Sequence, residues 1–172
     1  MEQYKKLKLV RIDYKYCDYL RKFDGKVSYN AGKKELRPFV GVLFEVNNIE
    51  YFAPLSSPKE KHKKMRDTVD FMKIKNGNLG AINFNNMIPV VNKTYEIIDL
   101  NKHSSKRSEE EYTKLLIKQY NWLNKNIDRV EKMAITLYNL YENNELDKKI
   151  KNRCCNFKLL ESKAKLYKVS LK

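Results

Sequence analysis

The residues best suited to chemistry form one short turn, Ser56-Ser57-Pro58-Lys59, at the end of an apolar segment. A serine hydroxyl can hydrogen-bond a phosphate oxygen or orient an attacking hydroxyl, and a lysine amine stabilises negative charge on a phosphate. The turn therefore suits chemistry at a phosphate. Taken alone, the same pattern more often marks only the end of a strand, where proline stops the sheet.

Patterns for other chemistries are missing from the sequence. Ser57 lacks the Gly-x-Ser-x-Gly setting of a hydrolase serine, and the 5 glycines form no phosphate-binding loop. The acidic residues are scattered, and neither His62 nor His103 has a zinc-like spacing from a cysteine pair. We therefore expect no metal and no other cofactor, and His62 is more typical of a solvated loop than of a general base.

The remaining set of hydroxyls, lysines, arginines and tyrosines suits metal-independent cleavage of RNA. In such a reaction the substrate supplies its own nucleophile, the 2′-hydroxyl, while the protein moves protons and stabilises the charged phosphorane. The products are a 2′,3′-cyclic phosphate and a 5′-hydroxyl.

The charge balance indicates the same kind of partner. The chain has 36 Lys and Arg against 21 Asp and Glu, which gives a net charge of +15. Such an excess favours a polyanionic partner, most often nucleic acid. A lysine-rich proteome encoded by an AT-rich genome is the alternative explanation, but it does not readily account for the shortage of acids. The segment 148–172 is the most basic, with Glu161 as its single acid.

Length and composition indicate one globular domain. A chain of 172 residues, 42% of them apolar, is long enough to bury its own core, and we expect a single domain over 1–172. No apolar run is long enough to span a bilayer and no signal peptide is evident, so we expect a soluble, cytoplasmic protein without a membrane partner. The odd number of cysteines, with two of them adjacent, favours reduced thiols.

The first half of the chain is strand-like. The segment 7–12 suits an opening strand, and Asp13 suits the N-cap of a short helix. The segments 40–46 and 49–55 predict a hairpin around Asn47-Asn48. Because a hairpin is held in register by its turn, it would place the serine turn on a rigid base.

More short strands are predicted after the serine turn, at 68–74, 79–84, 87–91 and 95–100. The densely charged segment 60–67 predicts an exposed loop. About five to seven short strands with frequent turns indicate a compact, largely antiparallel β-barrel.

The second half changes to a helical period. Apolar residues in the segment 116–141 are spaced alternately four and three apart, which predicts two helices or one bent helix with a break at Asn126. Ser108 and Glu111 match a capping box at the start, and Asn156 predicts the cap of a last helix. The fold class is therefore α+β, with the helices mainly in the C-terminal half.

Several ordered motifs resemble one protein family, the ToxN/AbiQ endoribonuclease toxins of type III toxin–antitoxin and phage abortive-infection systems. The main motif is Tyr51-Phe52-Ala53-Pro54-Leu55-Ser56-Ser57-Pro58-Lys59, followed three residues later by His62. The likeness covers nearly the whole chain and continues in Phe39-Val40-Gly41, Leu79-Gly80-Ala81-Ile82-Asn83, Met87-Ile88-Pro89 and Cys155-Asn156-Phe157-Lys158-Leu159-Leu160-Glu161.

The resemblance implies a fold, an activity and partners. It implies a domain similar to the Kid and MazF toxin barrels, elaborated with helices. It implies metal-independent, sequence-selective cleavage of A-rich RNA, with cellular or phage messenger RNA as the target. It also implies an antitoxin RNA made of short tandem repeats, which the toxin cuts into units and which then inhibits it within a toxin–RNA assembly.

The resemblance also implies which residues act. The family's active-site turn maps onto Ser56, Ser57 and Lys59. We expect Ser57 to orient or activate the 2′-hydroxyl and Lys59 to stabilise the phosphorane.

A tyrosine of an early loop maps onto Tyr29, and its cationic partner stays open between two residues. Lys33 keeps the family's spacing from Tyr29, whereas Arg37 keeps the family's position just ahead of the strand Pro38-Phe39-Val40-Gly41. The side chains expected to bind RNA are Lys34, Lys61, His62, Lys63, Lys64, Arg66, Asn83, Lys151 and Arg153. A non-catalytic RNA-binding regulator on a similar barrel is the alternative function.

Overall fold

The computed structural model describes residues 5–29, 37–91 and 94–168, in which strands come mostly before helices. The strands are β1 (Lys8–Ile12), β2 (Phe39–Gly41), β3 (Glu45–Val46), β4 (Ile49–Ser56), β5 (Phe71–Lys73), β6 (Ala81–Asn83), β7 (Ile88–Val90) and β8 (Tyr95–Ile97). The helices are α1 (Tyr14–Arg21), α2 (Glu60–Lys64), α3 (Arg107–Lys125), α4 (Ile127–Glu142), α5 (Lys148–Arg153) and α6 (Phe157–Leu166).

The strands form one antiparallel sheet in the order β5-β6-β4-β2-β1-β8, and β3 and β7 also pair with β4. The α+β class and the antiparallel pairing are therefore confirmed. Within the described ranges, β5 and β8 lie at opposite ends and are not paired with each other, so hydrogen bonds do not close the sheet. The predicted barrel is only loosely supported.

Strand β4 is the centre of the sheet and carries the serine turn at its end. Its first residues pair with β3 and β7, its middle residues with β2, and Leu55 and Ser56 with β6. The residues from Tyr51 to Leu55 are all buried, which explains their nearly continuous apolar character. The end of β4 is thus held by the whole sheet.

The predicted hairpin is confirmed at its turn and changed in its first strand. Asn47 and Asn48 adopt φ angles of 50° and 63°, the left-handed conformation that asparagine tolerates. The predicted continuous strand at 40–46 is instead split into β2 and β3 by a bulge. Two residues oppose Tyr51 there, since the Leu43 N–H donates to the Tyr51 carbonyl at 3.0 Å and the Tyr51 N–H donates to the Phe44 carbonyl at 3.0 Å. Because of the bulge, the consecutive side chains of Leu43 and Phe44 are both buried in the core, and the Phe44 ring stacks 4.7 Å from the ring of Tyr51.

The prediction of an exposed loop at 60–67 was wrong for its first half, which forms α2. The Lys59 carbonyl accepts the N–H of His62 at 2.9 Å, closing the first turn of this helix. His62 is buried while its charged neighbours stay exposed, so one side of α2 packs on the protein.

The predicted capping box at Ser108 and Glu111 was also wrong. Helix α3 begins at Arg107, and its N-cap residue, Lys106, makes no side-chain capping hydrogen bond. The Ser104 N–H donates to Glu110 at 2.9 Å, and its hydroxyl accepts the N–H of Lys106 at 3.1 Å. Ser104 thus ties the segment before the helix to its first turns without the spacing of a capping box.

The remaining helix predictions are confirmed. The apolar stripe forms two helices, α3 and α4, that meet at Asn126, and the Asn156 side chain caps α6 by accepting the N–H of Leu159 at 3.2 Å. Their apolar faces join the strands in one core, in which the three cysteines are buried and free. Within the described residues, no helix is both long and apolar enough to cross a membrane.

Candidate active site

Ser56 is held in place by a neighbouring strand. It pairs with Ala81 of β6, which places Asn83, two residues further on, diagonally across the same face of the sheet. The Asn83 amide donates to the Ser56 hydroxyl oxygen at 2.7 Å. Ser57 and Lys59, which follow Ser56, are exposed.

The backbone turn at residues 77–80 supports the serine turn from behind. Gly80 has a φ of 98°, and a β-carbon there would overlap the carbonyl oxygen of Ser56. Gly77 has a φ of 88°, and its β-carbon would lie 2.8 Å from the carbonyl carbon of His62. Both positions therefore require glycine, since another residue would push the serine turn and α2 outward.

The serine turn opens onto a cleft of about 490 Å³. Its lining residues come from the serine turn, α2, the β5–β6 region and the end of α5: Ser56, Lys59, Lys61, His62, Met65, Arg66, Thr68, Asp70, Phe71, Asn83, Asn85 and Arg153. Four of these side chains are cationic and one is a carboxylate. The cleft is therefore suited to a polyanion.

His62 is a buried histidine at the edge of this cleft, not a solvated one. His62 is 2% exposed, and the centroid of its ring lies 6.0 Å from the ring centroid of Phe71. Burial lowers the pKa of His62, and the positive charges of Lys59 and Lys61 lower it further. His62 is therefore neutral at pH 7.

Asp70 and Arg153 form a two-pronged ion pair in the cleft. Arg153 donates from Nε to one carboxylate oxygen of Asp70 at 2.6 Å and from Nη2 to the other at 2.9 Å. The Thr68 hydroxyl adds a third donor to Asp70 at 2.8 Å. Burial alone would raise the pKa of Asp70, but the hydrogen bonds from Arg153 and Thr68 lower it, so the carboxylate is charged.

Asn85 attaches the C-terminal part of the chain to this ion pair. Its backbone N–H donates to the Asp70 carbonyl at 3.2 Å, and its carbonyl accepts the N–H of Cys155 at 2.8 Å. Its side-chain amide donates to the Arg153 carbonyl at 3.3 Å. The backbone on both sides of the ion pair is thus tied to one residue.

The structure brings together seven of the residues expected at the site, and it places three others nearby. Those that line the cleft are Ser56, Lys59, Lys61, His62, Arg66, Asn83 and Arg153. Ser57 lies on the same turn, and Lys63 and Lys64 are exposed on α2 outside the cleft lining. Lys63 instead pairs with Glu60 at 2.9 Å.

Tyr29, Arg37 and Lys151 do not line the cleft. The Tyr29 ring lies under the guanidinium of Arg21, 4.7 Å from it, and Lys151 lies over the ring of Tyr141 at 5.5 Å. Arg37 is half-buried, and this burial lowers its pKa. Lys33 and Lys34 lie outside the described residues.

The loop before Tyr29 is anchored close to the cleft. The Lys26 carbonyl accepts the side-chain amide of Asn86 at 2.9 Å, and Asp24 accepts the N–H of Asn156 at 2.7 Å. Asn86 follows Asn85 in the sequence, and Asn156 follows Cys155, whose N–H donates to the Asn85 carbonyl. The early loop therefore begins next to the part of the cleft that Asn85 and Arg153 form.

Sequence reasoning missed Thr68, Asp70 and Asn85. Asp70 is 83 residues from its partner Arg153, so no local pattern links them. The one available signal is the Thr-x-Asp spacing of Thr68 and Asp70, which is typical of a local side-chain hydrogen bond.

Comparisons with known proteins match nearly the whole chain to one family. The family model for the toxin ToxN of type III toxin–antitoxin systems matches residues 8–165. The chain is 34% identical to endoribonuclease ToxN of Bacillus thuringiensis subsp. kurstaki, over 91% of this chain and 82% of that protein. It is 32% identical to endoribonuclease AbiQ of Lactococcus lactis subsp. lactis, over 94% of this chain and 89% of that protein.

Solved structures of similar proteins share the fold over nearly its whole length. One belongs to a type III system in which a non-coding RNA pseudoknot selectively inhibits the toxin; it has a TM-score of 0.79 and 31% identity, covering 95% of this chain and 98% of that one. Another is AbiQ, a lactococcal anti-phage endoribonuclease, with a TM-score of 0.78 and 30% identity, covering 95% and 98%. This chain therefore belongs to the ToxN toxin family of type III toxin–antitoxin systems.

Proposed function

We propose that the protein is an endoribonuclease toxin of an anti-phage type III system, built as one domain over residues 1–172. Relatives named as endoribonucleases match more than nine-tenths of the chain. The observation that carries the proposal is the serine turn itself, which lies at the edge of a cleft with four cationic side chains. Such a cleft binds the RNA backbone and presents hydroxyls and an amine to a phosphate.

The proposed reaction is attack of the substrate's 2′-hydroxyl on the adjacent phosphate, without a metal ion. Ser57 orients or activates the 2′-hydroxyl, and Lys59 stabilises the phosphorane. Because the Ser56 oxygen accepts a hydrogen bond from Asn83, the Ser56 proton is left to donate to a non-bridging phosphate oxygen. The products are a 2′,3′-cyclic phosphate and a 5′-hydroxyl.

Tyr29, with Lys33 or Arg37, completes the proposed site by contacting the scissile phosphate and sharing proton transfer. The anchoring of the early loop beside Asn156 and Asn86 supports this part of the proposal, since it starts the loop near the cleft. The partner RNA is an antitoxin of short tandem repeats, cut by the toxin and then bound as its inhibitor. Cellular or phage messenger RNA with A-rich sites is the target.

RNA binding is proposed for cationic and neutral polar side chains in and around the cleft. Within the cleft these are Lys61, His62, Arg66, Asn83 and Arg153. Lys63, Lys64 and Lys151 lie outside its lining and extend the basic surface. RNA binding by Lys34 is proposed from the sequence alone. Because these contacts release counterions, the RNA affinity should fall steeply with salt.

Cleavage of an A-rich RNA in EDTA tests the function. We expect the purified protein to cut the RNA and to leave cyclic phosphate ends. If the RNA stays intact under conditions in which the protein binds it, the chain is a non-catalytic RNA-binding regulator, the alternative function.

The substitution Ser57→Ala tests the site. Since Ser57 is exposed, its loss should leave the melting temperature unchanged while cleavage falls by about 100-fold or more. Ser105→Ala, at an exposed serine ahead of α3, is the matched control. We also expect cells to tolerate the Ser57 variant without the antitoxin, and undiminished toxicity would remove Ser57 from the mechanism.

A further inference from the structure

The ion pair of Asp70 and Arg153 differs from the other charges of the cleft. The Asp70 side chain is 2% exposed, whereas the Arg153 side chain is 50% exposed. The carboxylate is therefore hidden behind the guanidinium, and only the cation faces outward. The other cleft cations, Lys59, Lys61 and Arg66, are exposed side chains of a short charged segment.

Arg153 retains donors for a ligand. A guanidinium has five N–H groups, of which Asp70 takes two, which leaves three in the described part of the chain. A planar guanidinium with a free edge matches two oxygens of one phosphate. The pair with Asp70 fixes the orientation of that edge, since a bidentate pair allows little rotation.

The backbone around the pair is equally constrained. Asn85 bonds the Asp70 carbonyl, the Arg153 carbonyl and the N–H of Cys155. Asn85 lies just after β6, so both charged residues are held relative to that strand. β6 also contains Asn83, whose amide donates to the Ser56 hydroxyl. Arg153 therefore stands at a fixed position relative to the serine turn.

We infer that Arg153 forms a phosphate-binding subsite of the cleft and that buried Asp70 is the positioning residue that holds it. The subsite binds a phosphodiester of the RNA chain beside the one at the serine turn. This inference rests on the proposed function for its ligand. The competing explanation is that the pair only joins β5 to the C-terminal helices.

The direction in which Asp70→Asn changes the RNA affinity separates the two explanations. Asp70→Asn removes a negative charge beside an anion site, so by charge alone the RNA should bind more tightly. Loss of positioning predicts the opposite, because Arg153 becomes free to rotate away. We expect RNA binding about tenfold weaker, the size of one lost charge-assisted hydrogen-bond pair.

Asp67→Asn is the matched control. Asp67 also pairs with an arginine, Arg129, at 2.9 Å, and neither of the two residues lines the cleft. The control makes the same change in net charge and frees Arg129 from its single hydrogen bond with Asp67. We expect it to leave RNA binding equal to that of the unmodified protein or slightly tighter.

A second variant, Arg153→Lys, keeps the charge and guards against misfolding of the Asp70 variant. Lysine cannot form the two-pronged pair, so we expect a similar tenfold loss. The double variant should bind no more weakly than either single one, because both changes remove the same contact. A thermal unfolding curve for each variant checks that it is folded at the temperature of the binding assay.

Binding is measured with an A-rich RNA carrying 2′-deoxy sugars, which cannot be cleaved, over a range of salt concentrations. If Asp70→Asn binds as tightly as the unmodified protein or more so, or if the double variant loses the sum of both effects, the subsite does not exist. If the unmodified protein binds this probe but never cuts the all-ribose RNA, the proposed function fails and the subsite stands. If it does not bind RNA, both proposals fail.

Discussion

Replacement of Gly80 by alanine should damage the serine turn from behind. The added β-carbon would overlap the carbonyl oxygen of Ser56 and lie 3.1 Å and 3.2 Å from the carbonyl carbons of Ser56 and Ser57. These are backbone atoms, so they cannot rotate away as a side chain could. The φ of 98° adds strain for any residue with a side chain.

The two costs give the size of the effect. A left-handed backbone costs alanine roughly 1–2 kcal/mol, and forcing an extra carbon into packed structure costs roughly 1–3 kcal/mol. The free energy of unfolding should therefore fall by about 2–5 kcal/mol. For a chain of this size that corresponds to a melting temperature lower by roughly 4–20 °C.

Thermal unfolding and RNA cleavage together measure this effect. Gly25→Ala is the control, because a β-carbon at Gly25 would meet no atom within 4 Å. At a temperature where both variants are folded, only the Gly80 variant should cleave slowly, since the serine turn is displaced. If Gly80→Ala melts and cleaves like the control, the turn at 77–80 does not support the serine turn.

Two further predictions concern buried polar groups. Because folding lowers the pKa of His62, the unfolded chain binds more protons below about pH 6.5, so acidification should destabilise the protein there. His62→Gln should remove part of this dependence in thermal unfolding at several pH values, and an unchanged dependence would contradict the burial of His62 as its cause. Tyr51→Phe should lower the free energy of unfolding in urea by about 1–3 kcal/mol, because the Tyr51 hydroxyl donates to the buried side chain of Glu161 at 2.6 Å. Tyr14→Phe, at an exposed tyrosine, should leave it unchanged, and equal stability of the two variants would contradict this role for Glu161.

Local chemistry explains the parts of the fold that sequence reasoning predicted correctly. Asp13 and Asn156 cap helices because each side chain bonds an N–H two or three residues away. Asn47-Asn48 forms the hairpin turn because asparagine tolerates a positive φ. The break between α3 and α4 falls at Asn126, as the apolar spacing indicated.

Contacts between distant segments explain the errors. The strand at 40–46 is interrupted by a bulge opposite Tyr51, which places both Leu43 and Phe44 in the core and stacks the Phe44 ring on that of Tyr51. The segment 60–67 looks like a loop because its residues are charged. It begins with a helix because His62 is buried against the glycine turn at 77–80.

The sequence by itself determined the serine turn, the cationic character of the protein and, through its motifs, the family. These are properties of consecutive residues and of composition, so they can be read without coordinates. Only the tertiary structure decided that Asn83 holds Ser56 and that Asp70 and Arg153, 83 residues apart, meet in the same cleft. Hydrogen bonds and ion pairs of this kind depend on strand register and helix packing, which bring together residues that no local pattern links.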